Sequence, residues 1–160
     1  MPIRPEIRLR PAAPHEAAEI RALVRAAYAR WIPVIGREPR PMQVDYDAAM
    51  LEHDFVLAIG ASDASATSQT LGVIETERRA DHLWIENVAV APHAQGRGVG
   101  RLLLADAERR AEEAGLPELR LLTNAAFAAN IRLYRMLGYS VDREEPFMNG
   151  VTSYLSKPVR

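Results

Sequence analysis

Gln95-Gly96-Arg97-Gly98-Val99-Gly100-Arg101 is the stretch that decides how this chain folds. Before it, Leu83 to Val90 is rich in Val, Ile and Trp and stops at Ala91-Pro92, which predicts a strand. After it, Val99, Leu103, Ala107, Ala111 and Ala114 recur at helical spacing. Arg101, Asp106, Glu108, Arg109 and Glu112 face outward, so the spacing predicts an amphipathic helix over 99–114. Gly115 supplies a left-handed cap and Pro117 forbids continuation. A glycine-rich turn between a strand and a helix lets the backbone approach a ligand closely. The free N–H groups of the helix's first turn, with the helix dipole behind them, then point at an anion. A phosphate or pyrophosphate fits that description.

Three phosphate loops compete for the stretch. The P-loop pattern G-x-x-x-x-G-K-[ST] is absent. The dinucleotide fingerprint G-x-G-x-x-G needs glycine where Arg101 stands, and it belongs after the first strand of a βαβ unit rather than past mid-chain. What remains is Q-x-x-G-x-G, filled by Gln95, Gly98 and Gly100.

In that pattern the sequence resembles the GCN5-related N-acetyltransferase family, whose signature loop binds the pyrophosphate of coenzyme A. The likeness extends to Glu86-Asn87-Val88-Ala89-Val90-Ala91-Pro92 as the family's central strand and Leu119 to Thr123 as the next one. Asn130 through Tyr134 to Leu137-Gly138-Tyr139 matches the second cofactor motif. Order and spacing agree over roughly the last half of the chain; the first half agrees through its sequence of elements.

The resemblance implies an α/β (α+β) fold with a mixed, mostly antiparallel twisted sheet flanked by helices. The cofactor is expected where the central strand and its neighbour splay. It implies transfer of an acetyl group from acetyl-CoA directly to a primary amine in a ternary complex, which suits a chain with no cysteine. Amine acylation by a thioester needs a neutral amine, a polarised carbonyl and a proton for the departing thiolate. Tyr134 matches the family's tyrosine and is the candidate acid, four residues after the cofactor-contacting Asn130 and on the same helical face. A core tyrosine beside Leu133 and Leu137 is the competing reading, as a helix cap is for Asn130. Backbone N–H groups near Val88 and Val90 are expected to polarise the carbonyl. Gly96, Arg97, Val99 and Arg101 complete the cofactor loop, with the two arginines either on phosphates or in solvent. Glu86 shares the Trp84 face of its strand if no bulge intervenes, and is the candidate base, taking the amine proton directly or through water; a bulge is expected in this strand, and a solvated or salt-bridged Glu86 stands beside that role.

Elsewhere, Ile7 to Arg10 predicts a strand. Ile20, Leu23, Val24 and Ala27 form one face of a helix within 14–28. Pro33, Gly36, Pro39 and Pro41 break the pattern over 31–46, which predicts an irregular loop and at most a short helix over 45–51. Tyr28, Trp31, Met42 and Tyr46 around that loop are candidates for an acceptor pocket, against ordinary packing on the sheet. Phe55 to Ile59 and Leu71 to Glu77 predict a hairpin across the polar run 61–70, and Leu119 to Thr123 a short strand. A helix ends near Leu137, closed by Gly138, and 139–143 and 151–156 are closing strands. An exposed edge near Val151 to Leu155 suggests a homodimer.

The 160 residues are expected to form one acetyltransferase domain, 1–160, with no internal repeat. The composition, 48% hydrophobic and 26% charged, is that of a globular chain. A net charge of -1 without a basic stripe argues against nucleic acid. His15, His53, His82 and His93 lack metal-ligand spacing and are expected at the surface, with no metal. The start lacks an apolar h-region and no run of about 18 apolar residues occurs, so no membrane partner and a cytoplasmic location are expected. A catalytically silent CoA-binding regulatory module is the alternative function. A protein binding NAD or ATP through the same glycines is a third. The acceptor, a small-molecule or peptide amine, is not specified by these motifs.

Overall fold

Six consecutive buried residues in each of two neighbouring strands set the centre of the molecule, since such runs need cover on both faces of a sheet. The computed structural model describes residues 6–61 and 67–159. Among these residues seven strands are present: β1 (Arg8–Pro11), β2 (Asp54–Ala61), β3 (Ser68–Arg78), β4 (Leu83–Val90), β5 (Glu118–Asn124), β6 (Ser140–Phe147) and β7 (Gly150–Pro158). The α-helices are α1 (Ala17–Tyr28), α2 (Ile32–Ile35), α3 (Tyr46–Glu52), α4 (Val99–Glu113) and α5 (Ala128–Met136). The strands form a single sheet in the order β1-β2-β3-β4-β5-β7-β6, antiparallel except for the β4–β5 pair. The mixed, mostly antiparallel sheet of the sequence reading is therefore what the chain forms.

The helices divide between the two faces. A Cβ on Gly72 of β3 would come within 2.8 Å of Val99 and 3.1 Å of Leu103, so this position faces α4. Three residues on, Glu75 faces the other side, against His53 at the end of α3, as strand alternation requires. Ile20, Val24, Leu57, Leu71, Ile74, Leu103, Leu119, Leu121 and Leu155 are fully buried between these layers. Each such side chain contributes about 1.5–3 kcal/mol of transfer free energy.

Two irregularities in β4 make the site. The ladder pairs Glu75 with Asn87 but Thr76 with Ile85, which leaves Glu86 as the extra residue of a bulge. The parallel pairing of β4 with β5 ends at the same level, with Ile85 opposite Leu121. Beyond it β4 runs free of β5 on that side, and the sheet opens. The expected bulge and the expected splay thus coincide at Glu86.

The strands and long helices fall where periodicity places them, with local differences. Region 31–46 contains α2, started by Pro33 and ended by Gly36 at φ 75, and a 3-10 turn at Arg40–Gln43. Proline at a helix start is compatible with its missing N–H, so these prolines shorten helices rather than abolish them. α3 begins one residue after Asp45, whose side chain accepts from the Ala48 N–H at 3.2 Å. Ala61 and residues 68–70 of the polar run 61–70 belong to strands, and its residues 62–66 lie outside the described residues.

Two expectations are corrected. Val151 to Leu155 is not an edge: β7 pairs with β5 on one side and β6 on the other. The two-residue turn Met148-Asn149, with φ of 45 and 63, folds β6 back beside β7 and makes β6 the outer strand. That strand carries Asp142, Arg143, Glu144, Glu145 and Pro146, which blunt it against strand pairing, so the edge argument for a homodimer loses its basis. The histidines are not all at the surface either. His82 is buried and bonded to Asp81 at 2.7 Å, and His53 is held by Glu75.

Candidate active site

A cleft of about 440 Å³ opens where β4 leaves β5. Val88, Ala89 and Val90 form its floor, the loop and first turn of α4 one wall, and Ala129, Asn130, Leu133 and Tyr134 of α5 the other. Gly96 and Gly98 hold φ values of 79 and 81, the left-handed region that glycine enters without strain. Gly98 is the N-cap of α4, and its carbonyl accepts the first helical bond, from Leu102 at 3.1 Å. The N–H groups of Val99, Gly100 and Arg101 therefore have no intrahelical acceptor, and the three residues line the cleft. Gly100 sits beside Val90 and Leu133, bringing β4, α4 and α5 together at one level. Gln95 closes the loop onto the strand: its amide donates to the Val90 carbonyl at 3.3 Å and its oxygen accepts from Arg30 at 3.4 Å.

The cleft suits the pyrophosphate of coenzyme A: fixed glycine backbone, donors at a helix N-terminus, and Arg30 and Arg101 in the lining. Arg97 is not part of that lining. Its guanidinium turns to the Ala61 carbonyl at 3.5 Å, so only its backbone belongs to the loop.

Tyr134 lies on the cleft wall four residues after Asn130, and both line the cavity. Burial pushes the Tyr134 hydroxyl well above the ordinary tyrosine range, so it stays protonated. Its ring meets Tyr139 edge-on at 5.6 Å. The N-cap of α5 is Phe127, so Asn130 stands inside the helix and does not cap it.

A second cavity, of about 270 Å³, adjoins the first with Tyr28 in both linings. Glu75, Glu86 and Asn87 line it from β3 and β4, Tyr46 from α3, and Thr152 and Tyr154 from β7. Arg37 and Arg40 reach it from the proline-rich segment, over the ring of Phe147. The bulge explains why neighbours Glu86 and Asn87 both reach this cavity, although strand alternation would separate them. Glu86 is exposed and accepts from the Trp84 indole N–H at 2.6 Å, a contact it makes from the bulge itself.

Of the acceptor candidates, Tyr28 and Tyr46 line this second cavity. Trp31 instead lines the first, stacked on Phe127 at 4.5 Å, with the Arg30 guanidinium over its ring at 4.3 Å. Met42 is buried and lines neither; its backbone carbonyl accepts from Arg25 at 2.8 Å. Residues given no site role in the sequence reading are Arg30, Glu75, His53, Arg37, Arg40 and Phe147. Glu75 carried a signal, as an acidic residue directly after the apolar run 71–74 of β3. Among the described residues no group of three or more His, Cys, Asp or Glu forms a metal-binding cluster.

A cofactor cleft at the splay of a mixed sheet, with a glycine loop capping the following helix, defines a coenzyme-binding acyltransferase fold. The chain belongs to the acetyltransferase (GNAT) family, whose model matches residues 18–139. Among curated proteins none matches the sequence. Solved structures share the fold. PaiA N-acetyltransferase of Thermoplasma acidophilum, in complex with coenzyme A, superimposes with a TM-score of 0.77 at 17% identity, over 96% of this chain and 99% of that one. The ribosomal-protein-S18-alanine N-acetyltransferase of Escherichia coli gives 0.74 at 18% identity, over 96% and 94%. YncA of Salmonella typhimurium, with its cofactor acetyl-CoA, gives 0.68 at 20% identity, over 97% and 95%.

Proposed function

We propose that this chain is an N-acetyltransferase moving an acetyl group from acetyl-CoA to a primary amine by direct transfer. The observation that carries the reading is the meeting of two cavities at Tyr28: a glycine-capped cleft fit for a pyrophosphate, and beside it a pocket facing two carboxylates. Acetyl-CoA, when bound, supplies a thioester as the electrophile. Val99, Gly100 and Arg101 hold the pyrophosphate by backbone N–H, and Gln95, Arg30, Arg101 and Asn130 support the rest of the cleft. The free strand edge at Val88 and Val90 is the source of the N–H groups that polarise the carbonyl, a preorganised charge stabilisation in a site sheltered from water. Tyr134 donates the proton that the thiolate needs. Glu86, with Glu75, attracts the acceptor's ammonium group into the second pocket, and a carboxylate there takes its proton.

The acceptor is a small-molecule or peptide amine. Among structural relatives, one is named for a protein alanine and another, nourseothricin acetyltransferase, for a small molecule, so the fold accommodates both kinds. No described helix is long and apolar enough to cross a membrane, and a cytoplasmic enzyme acting on a dissolved acceptor is part of this proposal. The test is release of free thiol from acetyl-CoA across an amine panel, with acetylated product identified by mass spectrometry. Acetyl-CoA binding without turnover of any amine would favour the catalytically silent module instead.

A further inference from the structure

The acceptor pocket contains a carboxylate better placed for proton removal than Glu86. Glu75 lies on β3 directly opposite Asn87, with its side chain 4% exposed, and it lines the pocket. So buried a carboxylate requires a hydrogen-bonding partner. Its partner is His53, whose Nδ1 lies 2.6 Å from Oε2 of Glu75. His53 occupies the C-cap of α3, where the chain turns into β2, and its ring is 19% exposed. On its far side Nε2 lies 3.6 Å from Oε2 of Glu77, itself 37% exposed. The three groups form a file from the pocket to the surface. Glu86 has no such connection: it is exposed and bonded to the indole of Trp84.

We propose that Glu75 is the catalytic base of this chain and that His53 is the residue that positions its carboxylate. The inference rests on the acetyltransferase reading above. Nδ1–H of His53 donates to Oε2 of Glu75, the bond a buried carboxylate requires, and Oε1 is left to take a proton. In the step, an N–H bond of the acceptor's ammonium breaks and its electron pair stays on nitrogen. The proton passes to Oε1 of Glu75, directly or through one water. Once the acetylated product has left, Glu75 releases that proton to water in the pocket. The net change is one proton moved from ammonium to solvent, with Glu75 again a carboxylate and His53 unchanged.

The surroundings suit the task. Burial raises the Glu75 carboxyl and the charge of Glu86 raises it further, against the lowering effect of His53, and the net direction is upward. Burial lowers the His53 imidazole, but the hydrogen bond and charge of Glu75, with the charges of Glu77 and Glu86, outweigh it and raise it overall. The groups facing the pair are Glu77 on β3, Glu86 on β4, and the uncharged hydroxyls of Tyr28 from α1 and Tyr46 from α3. Arg37 and Arg40 stand on the pocket's rim. A protonated Glu75 cannot take the acceptor's proton. The rate is therefore lost on the acid side.

The experiment measures kcat/KM against pH for the best amine of the panel with wild type, Glu75→Gln, His53→Gln and Glu86→Gln. Acetyl-CoA affinity is measured alongside, and the His53 ring is titrated by nitrogen-15 NMR without substrate. Loss of a general base lowers kcat by roughly 10²-fold or more, and this is expected for Glu75→Gln with acetyl-CoA affinity unchanged. His53→Gln should lower kcat less and move the acid limb to higher pH, because the lowering effect of His53 on Glu75 is gone, whereas Glu86→Gln should raise the amine KM and move the limb to lower pH. In the NMR titration the His53 midpoint should fall in Glu75→Gln. An active Glu75→Gln enzyme overturns the base assignment alone, and an acid limb unmoved in His53→Gln overturns the positioning role alone. Wild type that binds acetyl-CoA and acylates no amine overturns the acetyltransferase reading, and the base assignment with it.

Discussion

The Tyr28 hydroxyl donates to Oδ1 of Asn87 at 2.6 Å, joining the end of α1 to the bulge of β4 on the line where the two cavities meet. The Asn87 amide donates onward to the Tyr46 hydroxyl at 3.4 Å, which donates to the Pro41 carbonyl at 2.7 Å. Burial keeps both tyrosines uncharged. This chain of bonds fixes the partition between the two cavities. Tyr28→Phe leaves Oδ1 of Asn87 without its donor, an unsatisfied buried group worth about 1–3 kcal/mol. The expected outcome is a lower urea midpoint and a raised amine KM, with acetyl-CoA affinity nearly unchanged. An unchanged midpoint and KM would show that the bond does not hold the partition.

Tyr134→Phe removes only the hydroxyl from the cleft wall. Its acid role predicts a fall in kcat on the order of 10²-fold, with acetyl-CoA affinity within about twofold of wild type. Because burial holds its pKa above the ordinary range, the wild-type rate should show no alkaline loss from this group below about pH 10. A variant of full activity would assign the ring to packing against Tyr139.

Stability should fall at low pH through Glu16. Arg10 donates two hydrogen bonds to its carboxylate, at 2.8 and 2.7 Å, and the Ala13 N–H a third at 2.9 Å. Led by the Arg10 bonds and opposed by burial, these lower its pKa from 4.5 to about 2. A depressed folded-state value stabilises above the unfolded pKa, and that stabilisation is lost as pH drops from about 4.5 toward 2. Arg10 is half exposed, so solvent screening reduces the contribution to roughly 1–2 kcal/mol. Glu16→Gln should therefore lower Tm at pH 7 and converge with wild type near pH 2. Parallel curves across that window would contradict it.

The elements were legible in sequence wherever one period dominated. Ile20, Leu23, Val24 and Ala27 all lie on the buried face of α1, and Val99, Leu103, Ala107 and Ala111 do so on α4. The glycine loop and its helix start were legible too, because both are local features. The second cavity was not. Glu75 meets His53 across 22 residues and Tyr28 meets Asn87 across 59, and no local pattern encodes such pairings. The β6–β7 order likewise depended on the turn at Met148-Asn149, where neither residue announces a positive φ as glycine would. Trp31 and Met42 were grouped with Tyr28 and Tyr46 by proximity in sequence, but the short turns of α2 and Arg40–Gln43 aim them elsewhere.

Calorimetric titration with acetyl-CoA, free CoA, NAD and ATP, on wild type and on Gly98→Ala and Gly98→Glu, tests the central claim most directly. A Cβ at Gly98 meets nothing within 4 Å, so Ala acts only through φ, at about 1–2 kcal/mol of strain. Glu adds a negative charge at the helix N-terminus where the pyrophosphate belongs. The account predicts that wild type binds acetyl-CoA and CoA but not NAD or ATP, that Ala weakens binding modestly, and that Glu abolishes it. Equal affinity of wild type and Gly98→Glu for acetyl-CoA, or preference for NAD or ATP, would contradict it.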